Sequence, residues 1–378
     1  MVERVKAAVL VKPKKIEVQY FPFPRTLSDG AMIIEMEMSG VCGSDKHIYN
    51  GLAPDMPFPL IPGHENVGII HEIGDGARDR LDVHGKALKE GDRVTWYGGV
   101  NCGQCWYCRW TYPIHGFCEK GVGYGWNVSC KDPPHLFGGW AEYFYMVPEL
   151  QVHRIPDGLP IEVAVLNDTM ASVSGVERAM MPYPYIKEGF GLGGTVVIQG
   201  SGPIGVMAAV RAKVCGASKI VMIGAPNHRL ELAKEFGVDE TISIEERPNP
   251  EDRIKEVKET FDGLGADLVV ECTGVPNAVP EGIEMVRKGG TYVIIGLLFD
   301  TGPVQIKPHR LTLKCIHLIG QGDMPPIEYW KSLMILTNYR DMFPFQKLVT
   351  HKFKIDQAEL ALKASEKFES MKSAIVPK

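Results

Sequence analysis

No apolar run in this chain reaches the ~20 residues a helix needs to cross a bilayer. No block of lysine and arginine stands out, and the net charge is −5, so nucleic acid is not an expected partner. Met1 to Tyr20 alternates charged and apolar residues and has no apolar core of the signal-peptide kind. Internal repeats and low-complexity tracts are lacking as well. Hydrophobic content of 45% and charged content of 23% are ordinary for a folded chain, which removes disorder as the expectation. These absences leave a cytoplasmic protein, clear of the membrane, whose 378 residues suit two domains better than one.

The nine cysteines are unevenly placed. Cys102, Cys105, Cys108 and Cys118 follow a C-x2-C-x2-C-x9-C spacing. Four thiolates that close together suit tetrahedral, closed, structural zinc. A reducing compartment also favours metal over disulfides. A zinc ribbon that binds nucleic acid fits poorly, because only Arg109 and Lys120 lie close by.

Up to about residue 165 the texture is β-rich, with runs such as Lys6–Val11 and Met32–Met38 punctuated by Gly and Pro. From Thr195 it changes. Thr195–Gly200, Lys219–Gly224, Ala266–Glu271 and Thr291–Gly296 are continuous apolar runs, as strands buried on both faces require. Helical stretches at Arg229–Phe236 and Asn277–Arg287 separate them. That alternation predicts a parallel sheet with helices on both sides. It stops near residue 319, and the remaining tail is too short for a core of its own.

Gly200, Gly202, Pro203, Ile204 and Gly205 lie in a G-x-G-x-x-G run that follows a strand and opens a helix. Its glycines allow a tight turn and close approach to a pyrophosphate. The second strand lacks the acidic end expected for an unphosphorylated ribose; it closes on Gly224, with His228 and Arg229 soon after. Either cation can pair with a 2'-phosphate, or Arg229 packs over the adenosine of either cofactor, so NAD and NADP both stay open. Thr273, Gly296 and Leu297 lie at the C-terminal ends of strands and should border ribose and nicotinamide. Cys272 reads as a small buried residue rather than a nucleophile.

Cys42-Gly43-Ser44-Asp45-Lys46-His47 and Gly63-His64-Glu65 supply the remaining metal-type residues. Cys42, His64 and one further ligand would make an open zinc site. With Gly68 and Gly74 downstream, the cysteine lobe and the late glycine turn, this order resembles the zinc-dependent medium-chain alcohol dehydrogenases over nearly the whole chain. It departs from them at Ala77, where Val is usual, and in the longer stretch Arg78 to Glu90.

The resemblance implies an α/β chain in which a Rossmann domain, the doubly wound parallel sheet, is inserted into a GroES-like catalytic domain, with a cleft between. The expected bounds are 1–169 with the lobe at about 98–120, then 170–319, then 320–378 returning to the first domain. It implies two zinc ions per subunit, one catalytic and one structural, and NAD or NADP. Cys42 and His64 would be catalytic ligands. The window Leu166–Met170 has no Cys for the third; Asp168 takes that place, with a helix N-cap as its other reading. Glu65 resembles the glutamate that lies near the metal and can replace water on it. Asp45 would orient His64, Ser44 would take the substrate's proton, and His47 would pass it on.

Trp96, Gly98, Leu136 and Phe137 are the expected substrate walls. Many relatives carry a bulky aromatic where Gly98 stands, so either the pocket is wide and takes a secondary or cyclic alcohol, or Gly98 serves the turn into the lobe. The implied activity is reversible hydride transfer between an alcohol and NAD(P)+, giving a ketone or aldehyde. Polyol, threonine and formaldehyde dehydrogenases of the same fold are the near rivals. A zinc-free quinone or enone reductase would not need these cysteines. A catalytically silent nucleotide-binding or redox-sensing module would not need the proton relay. A homodimer or homotetramer, joined through the last inserted strand near Ile316–Gly320, is the expected assembly.

Overall fold

A computed structural model describes residues 2–77, 80–82, 85–111, 114–180 and 189–377. Of the long stretch 78–90, residues 78, 79, 83 and 84 lie outside these. The chain divides into two compact units. One comprises Met1–Asp168, Asp323–Arg340 and Phe345–Lys378; the other comprises Thr169–Gly322 and Asp341–Pro344. The C-terminal return is therefore interrupted: Phe343 is buried in the second unit, in van der Waals reach of a Cβ placed on Gly237.

The first unit is built on a seven-stranded sheet. Its order is Val349–Phe353, Lys372–Ile375, Met32–Gly40, Asn66–Ile73, Arg93–Tyr97 and Gln151–Arg154, with Tyr143–Met146 also paired to Met32–Gly40. Side chains alternate across a strand. Met32, Ile34 and Met36 from the central strand meet Ile70, Val94, Trp96, Phe144, Met146 and Val152 from its neighbours in one core cluster. The central strand ends at Gly40, two residues before Cys42, and Lys372 opens the strand beside it. The sheet thus brings residues from both ends of the sequence to one place.

The second unit holds a six-stranded parallel sheet in the order Glu240–Ser243, Lys219–Gly224, Thr195–Gln199, Ala266–Glu271, Val286–Ile294, His317–Gly320. Val196–Ile198, Ile220–Met222 and Leu268–Val270 are wholly buried, as a sheet covered on both faces requires. Strand order reverses between Thr195–Gln199 and Ala266–Glu271, and such a switch point is where doubly wound sheets bind ligands. Local differences from the sequence pattern have local causes. The helix expected from Arg229 starts at Asn227, because Pro226 sets the extended residue before it. The strand expected from Thr291 starts at Val286, where it pairs with Ala266 before a bulge. Among the described residues no helix is long and apolar enough to cross a membrane.

Candidate metal centres and nucleotide-binding turn

Cys42 stands in extended conformation just before the helix Gly43–Tyr49. Its backbone N–H donates to Asp45 Oδ2 at 2.8 Å. That bond pins the start of the helix and leaves Asp45 Oδ1 turned to His64, 3.7 Å from Nδ1. The Ser44 hydroxyl is 3.4 Å from His64 Nε2. Gly63 precedes His64 at φ +99°, and a Cβ there would lie 2.5 Å from the Trp140 ring. A side chain is thus excluded on steric and conformational grounds alike. Cys42, His64 and Glu65 each bring a ligand atom to within 4.8 Å of the others. A thiolate, an imidazole and a carboxylate are zinc donors, so the set fits that ion.

The Glu65 carboxylate occupies a space that only glycine leaves open, since a Cβ on Gly40 would sit 1.9 Å from its Oε2. Lys372 donates from Nζ to Glu65 Oε1 at 2.5 Å, and both side chains are almost wholly buried. Burial works against charge on Lys372, but Glu65 and Cys42 outweigh it and hold its pKa above the ordinary value. Burial likewise opposes a proton on His64, yet Asp45, Cys42 and Asp168 raise its pKa well above the usual range. Asp45 is pushed up to about 6 by burial, with His64 opposing.

Asp168 is buried and lies inside the first turn of the helix Asn167–Ser172, not in the capping position ahead of it. It falls outside the Cys42–His64–Glu65 cluster, although its charge acts on His64. Its Oδ2 accepts the hydroxyl of Tyr329. The four expected pocket walls differ in burial. Trp96 is wholly buried and packs into the sheet core with its ring centroid 4.8 Å from that of Phe144, and Leu136 is also wholly buried. The strand's alternation turns Trp96 inward. Gly98 and Phe137 are half-buried. A Cβ on Gly98 would come within 3.9 Å of His64 Cβ and 3.0 Å of the Tyr124 carbonyl. Trp126, which sequence reasoning passed over, has its ring 5.8 Å from that of His64.

In the lobe, the four thiols of Cys102, Cys105, Cys108 and Cys118 gather within 4.8 Å of one another. All are free, and Cys105 Sγ is 3.4 Å from Cys108 Sγ, too far for a disulfide. Backbone N–H groups of Gln104 and Cys105 pull the Cys102 thiol down to about 6, while burial pushes Cys108 up to about 12. The set fits structural zinc. The lobe is tied to the return segment at Asp323, whose Oδ2 accepts the Gly116 N–H at 2.5 Å. Cys105→Ser is expected to take zinc content from about two per subunit to about one. It should also lower Tm by roughly 5 °C, at about 2–4 °C per kcal/mol for a unit of this size. Elemental analysis and calorimetry check it; an unchanged metal count contradicts the lobe assignment.

In the second unit, Gly200 and Gly205 have steric reasons, and Gly202 faces open space. Gly200 has φ +113°, and a Cβ there would lie 3.0 Å from the Cys272 carbonyl group. A Cβ on Gly205 would fall 1.9 Å from Gly200 O, so helix and strand can pack only without it. A Cβ on Gly202 would meet nothing within 4 Å. It would project into open space at the N-terminus of the helix Pro203–Val214, where a pyrophosphate is favoured. Pro203 is the first residue of that helix and Ile204 the next.

Gly224 can carry no side chain, because its Cβ would lie 2.6 Å from Ser201 Oγ; that is why no carboxylate stands there. His228 is exposed and Arg229 is buried. Glu271, wholly buried, accepts from the Thr273 hydroxyl at 2.6 Å and from Gly274 N at 2.8 Å through Oε1. Its Oε2 accepts from Gly296 N at 3.0 Å. One carboxylate thereby fixes the Thr273 turn against the Gly296–Leu297 turn. Burial and the Glu271 charge push the Cys272 thiol well above its ordinary value, which keeps it protonated.

Two family models match the chain: an alcohol dehydrogenase GroES-like domain at residues 28–157 and a zinc-binding dehydrogenase domain at 203–334. The 5-exo-hydroxycamphor dehydrogenase of Pseudomonas putida is 33% identical over 363 residues, covering 94% of each chain. The sorbitol dehydrogenase of Halalkalibacterium halodurans is 32% identical and covers 91% of each. Among solved structures, an alcohol dehydrogenase from Thermotoga maritima superposes with a TM-score of 0.88 at 30% identity, over 99% of this chain and 100% of the other.

Proposed function

The chain belongs to the zinc-dependent medium-chain alcohol dehydrogenases, NAD(P)-dependent oxidoreductases, and from that premise we propose that it oxidises a secondary or cyclic alcohol to its ketone. The observation that carries the proposal is the Cys42–His64–Glu65 donor cluster with the Ser44 hydroxyl against His64 and no side chain at Gly98 beside it. Cys42 and His64 would hold the catalytic zinc with Asp168, from outside the cluster, as third ligand and Glu65 as the neighbouring carboxylate, and the four lobe cysteines would hold the structural zinc. Gly200, Gly202 and Gly205 make the turn for the cofactor's pyrophosphate, and Thr273, Gly296 and Leu297 border its ribose and nicotinamide. The Pseudomonas putida relative, named for a bulky cyclic alcohol, supports the substrate class. A polyol is the second reading, supported by the sorbitol dehydrogenase.

Zinc in this site would supply a Lewis acid that lowers the pKa of the substrate alcohol, and NAD(P)+ would supply the hydride acceptor. The chain's residues manage the proton and the position. Ser44 takes the hydroxyl proton, and His47 passes it to solvent. Asp45 holds the His64 ring by its Nδ1 side. Burial and neighbouring Lys46 hold the His47 pKa below the ordinary histidine value. The imidazole therefore stays neutral, and able to accept a proton, to a lower pH than a free histidine. His47→Gln is expected to lower kcat for oxidation on the order of 10²-fold at pH 7. The loss should shrink as pH rises and solvent base takes over. A kcat–pH profile of both proteins checks this; superimposable profiles remove His47 from the relay.

The overall test is turnover by the zinc-loaded protein across cyclic, acyclic and polyhydric alcohols with NAD+ and NADP+ in parallel. Absence of turnover throughout sinks the reading in favour of a silent module. The cofactor arm decides whether His228 and Arg229 serve a 2'-phosphate. Gly98→Phe is expected to cut kcat/KM for a cyclic secondary alcohol about tenfold relative to ethanol, as lost pocket volume does. An unchanged ratio leaves Gly98 as a turn residue only. The proposal includes a cytoplasmic homodimer or homotetramer through the edge strand His317–Gly320, where Leu318 is exposed; light scattering decides it.

A further inference from the structure

Tyr329 lies on the helix Ile327–Asn338, 161 residues beyond Asp168, and its hydroxyl meets Asp168 Oδ2 in the interior of the first unit. The ring has little freedom. It is 1% exposed. His153 stacks on it at 5.8 Å, and Tyr97 meets it edge-on at 5.4 Å. Tyr97 is itself fixed, because its hydroxyl donates to Asp323 at 2.9 Å from Oδ2 and 3.1 Å from Oδ1. Asp323 in turn holds the Gly116 N–H, two residues before the lobe thiol of Cys118. The phenol is thus delivered to Asp168 by a packed run of rings anchored on the cysteine lobe.

A phenol has one proton to give. Placed on Oδ2, it fixes the rotation of the carboxylate and distinguishes its two oxygens. A metal-ligating carboxylate held in this way binds through a chosen oxygen, and partners of this kind tune the affinity of the ions behind them. We propose that Tyr329 is a positioning residue for the catalytic metal, its hydroxyl engaging Asp168 Oδ2 so that Asp168 ligates through Oδ1. This rests on the reading of Asp168 as the third ligand. The competing account is that a buried phenol simply needs an acceptor and Asp168 supplies one. In that case the metal does not sense its removal.

The test uses full-length wild type, Tyr329→Phe and Asp168→Asn. Two quantities are read: the rate at which a chelator removes zinc, and the visible spectrum after Co(II) is exchanged into the catalytic site. Tyr329→Phe is expected to fold, to load the same zinc, to release one zinc at least about tenfold faster, and to shift the Co(II) ligand-field bands. Tyr329→Met removes the same hydroxyl from a more pliable side chain and gives the same readings should the phenylalanine protein fail to fold. Wild-type release and spectrum in the Tyr329 variants, with both changed in Asp168→Asn, overturn the positioning role and leave Asp168 as a ligand. Both unchanged in Asp168→Asn overturn the ligand reading and this inference with it.

Discussion

Cys42→Ala is expected to leave a folded protein that holds about one zinc per subunit and has lost on the order of 10³-fold or more in kcat/KM. The size follows from the several kcal/mol a Lewis acid contributes, at 1.36 kcal/mol per factor of ten. The fold should survive because the contact that starts the helix Gly43–Tyr49 is made by the Cys42 backbone N–H to Asp45, which alanine keeps. What disappears is the sulfur of a three-donor cluster whose other members, His64 and Glu65, sit on a separate segment. The remaining zinc should be the lobe's, held by four thiols remote in sequence from the change. Elemental analysis, circular dichroism and steady-state kinetics decide it together. A protein that loses one zinc yet keeps its turnover would remove the metal from the chemistry.

The parts of this molecule that could be read from the sequence are those whose cause is local. The lobe thiols are a few residues apart, and the fold only has to close a short loop to bring them together. Gly200 and Gly205 were readable because the turn itself demands them, the first through its φ of +113° and the second through the nearby Gly200 carbonyl, while Gly202 was readable from its place in the same motif at the helix start. The missing carboxylate at Gly224 was visible in sequence, but its reason was not: Ser201, 23 residues earlier, occupies the space. Lys372 and Tyr329 carried no signal, because their partners Glu65 and Asp168 lie 307 and 161 residues away and meet them only through sheet order and helix return. The inward packing of Trp96 was hidden for a different reason. Adjacent positions on a strand face opposite ways, and sequence gives no marker for which of Trp96 and Tyr97 turns to the core.

Lys372→Met is expected to destabilise the first unit by about 3–5 kcal/mol, the usual cost of stranding one member of a buried ion pair. The pair has little alternative. Glu65 is 1% exposed and sits in the space left by Gly40, so its carboxylate cannot swing to water without moving the central strand. Lys372 is 4% exposed, and its stem is fixed by the strand that borders Met32–Gly40. Because the Lys372 pKa is raised in the folded protein, its contribution is fully present below the unfolded value of about 10.4 and is lost only as pH rises through the higher folded value. The deficit in Lys372→Met should therefore be constant across neutral pH and converge on wild type only in strong alkali. Glu65→Gln with Lys372→Met should recover much of the loss, since neither side chain then carries an uncompensated charge. Denaturant unfolding of the four proteins at pH 7 and pH 9 measures the coupling. If Lys372→Met alone costs no more than the double variant, the lysine acts by filling volume, and the carboxylate beside Cys42 and His64 is neutralised by another group.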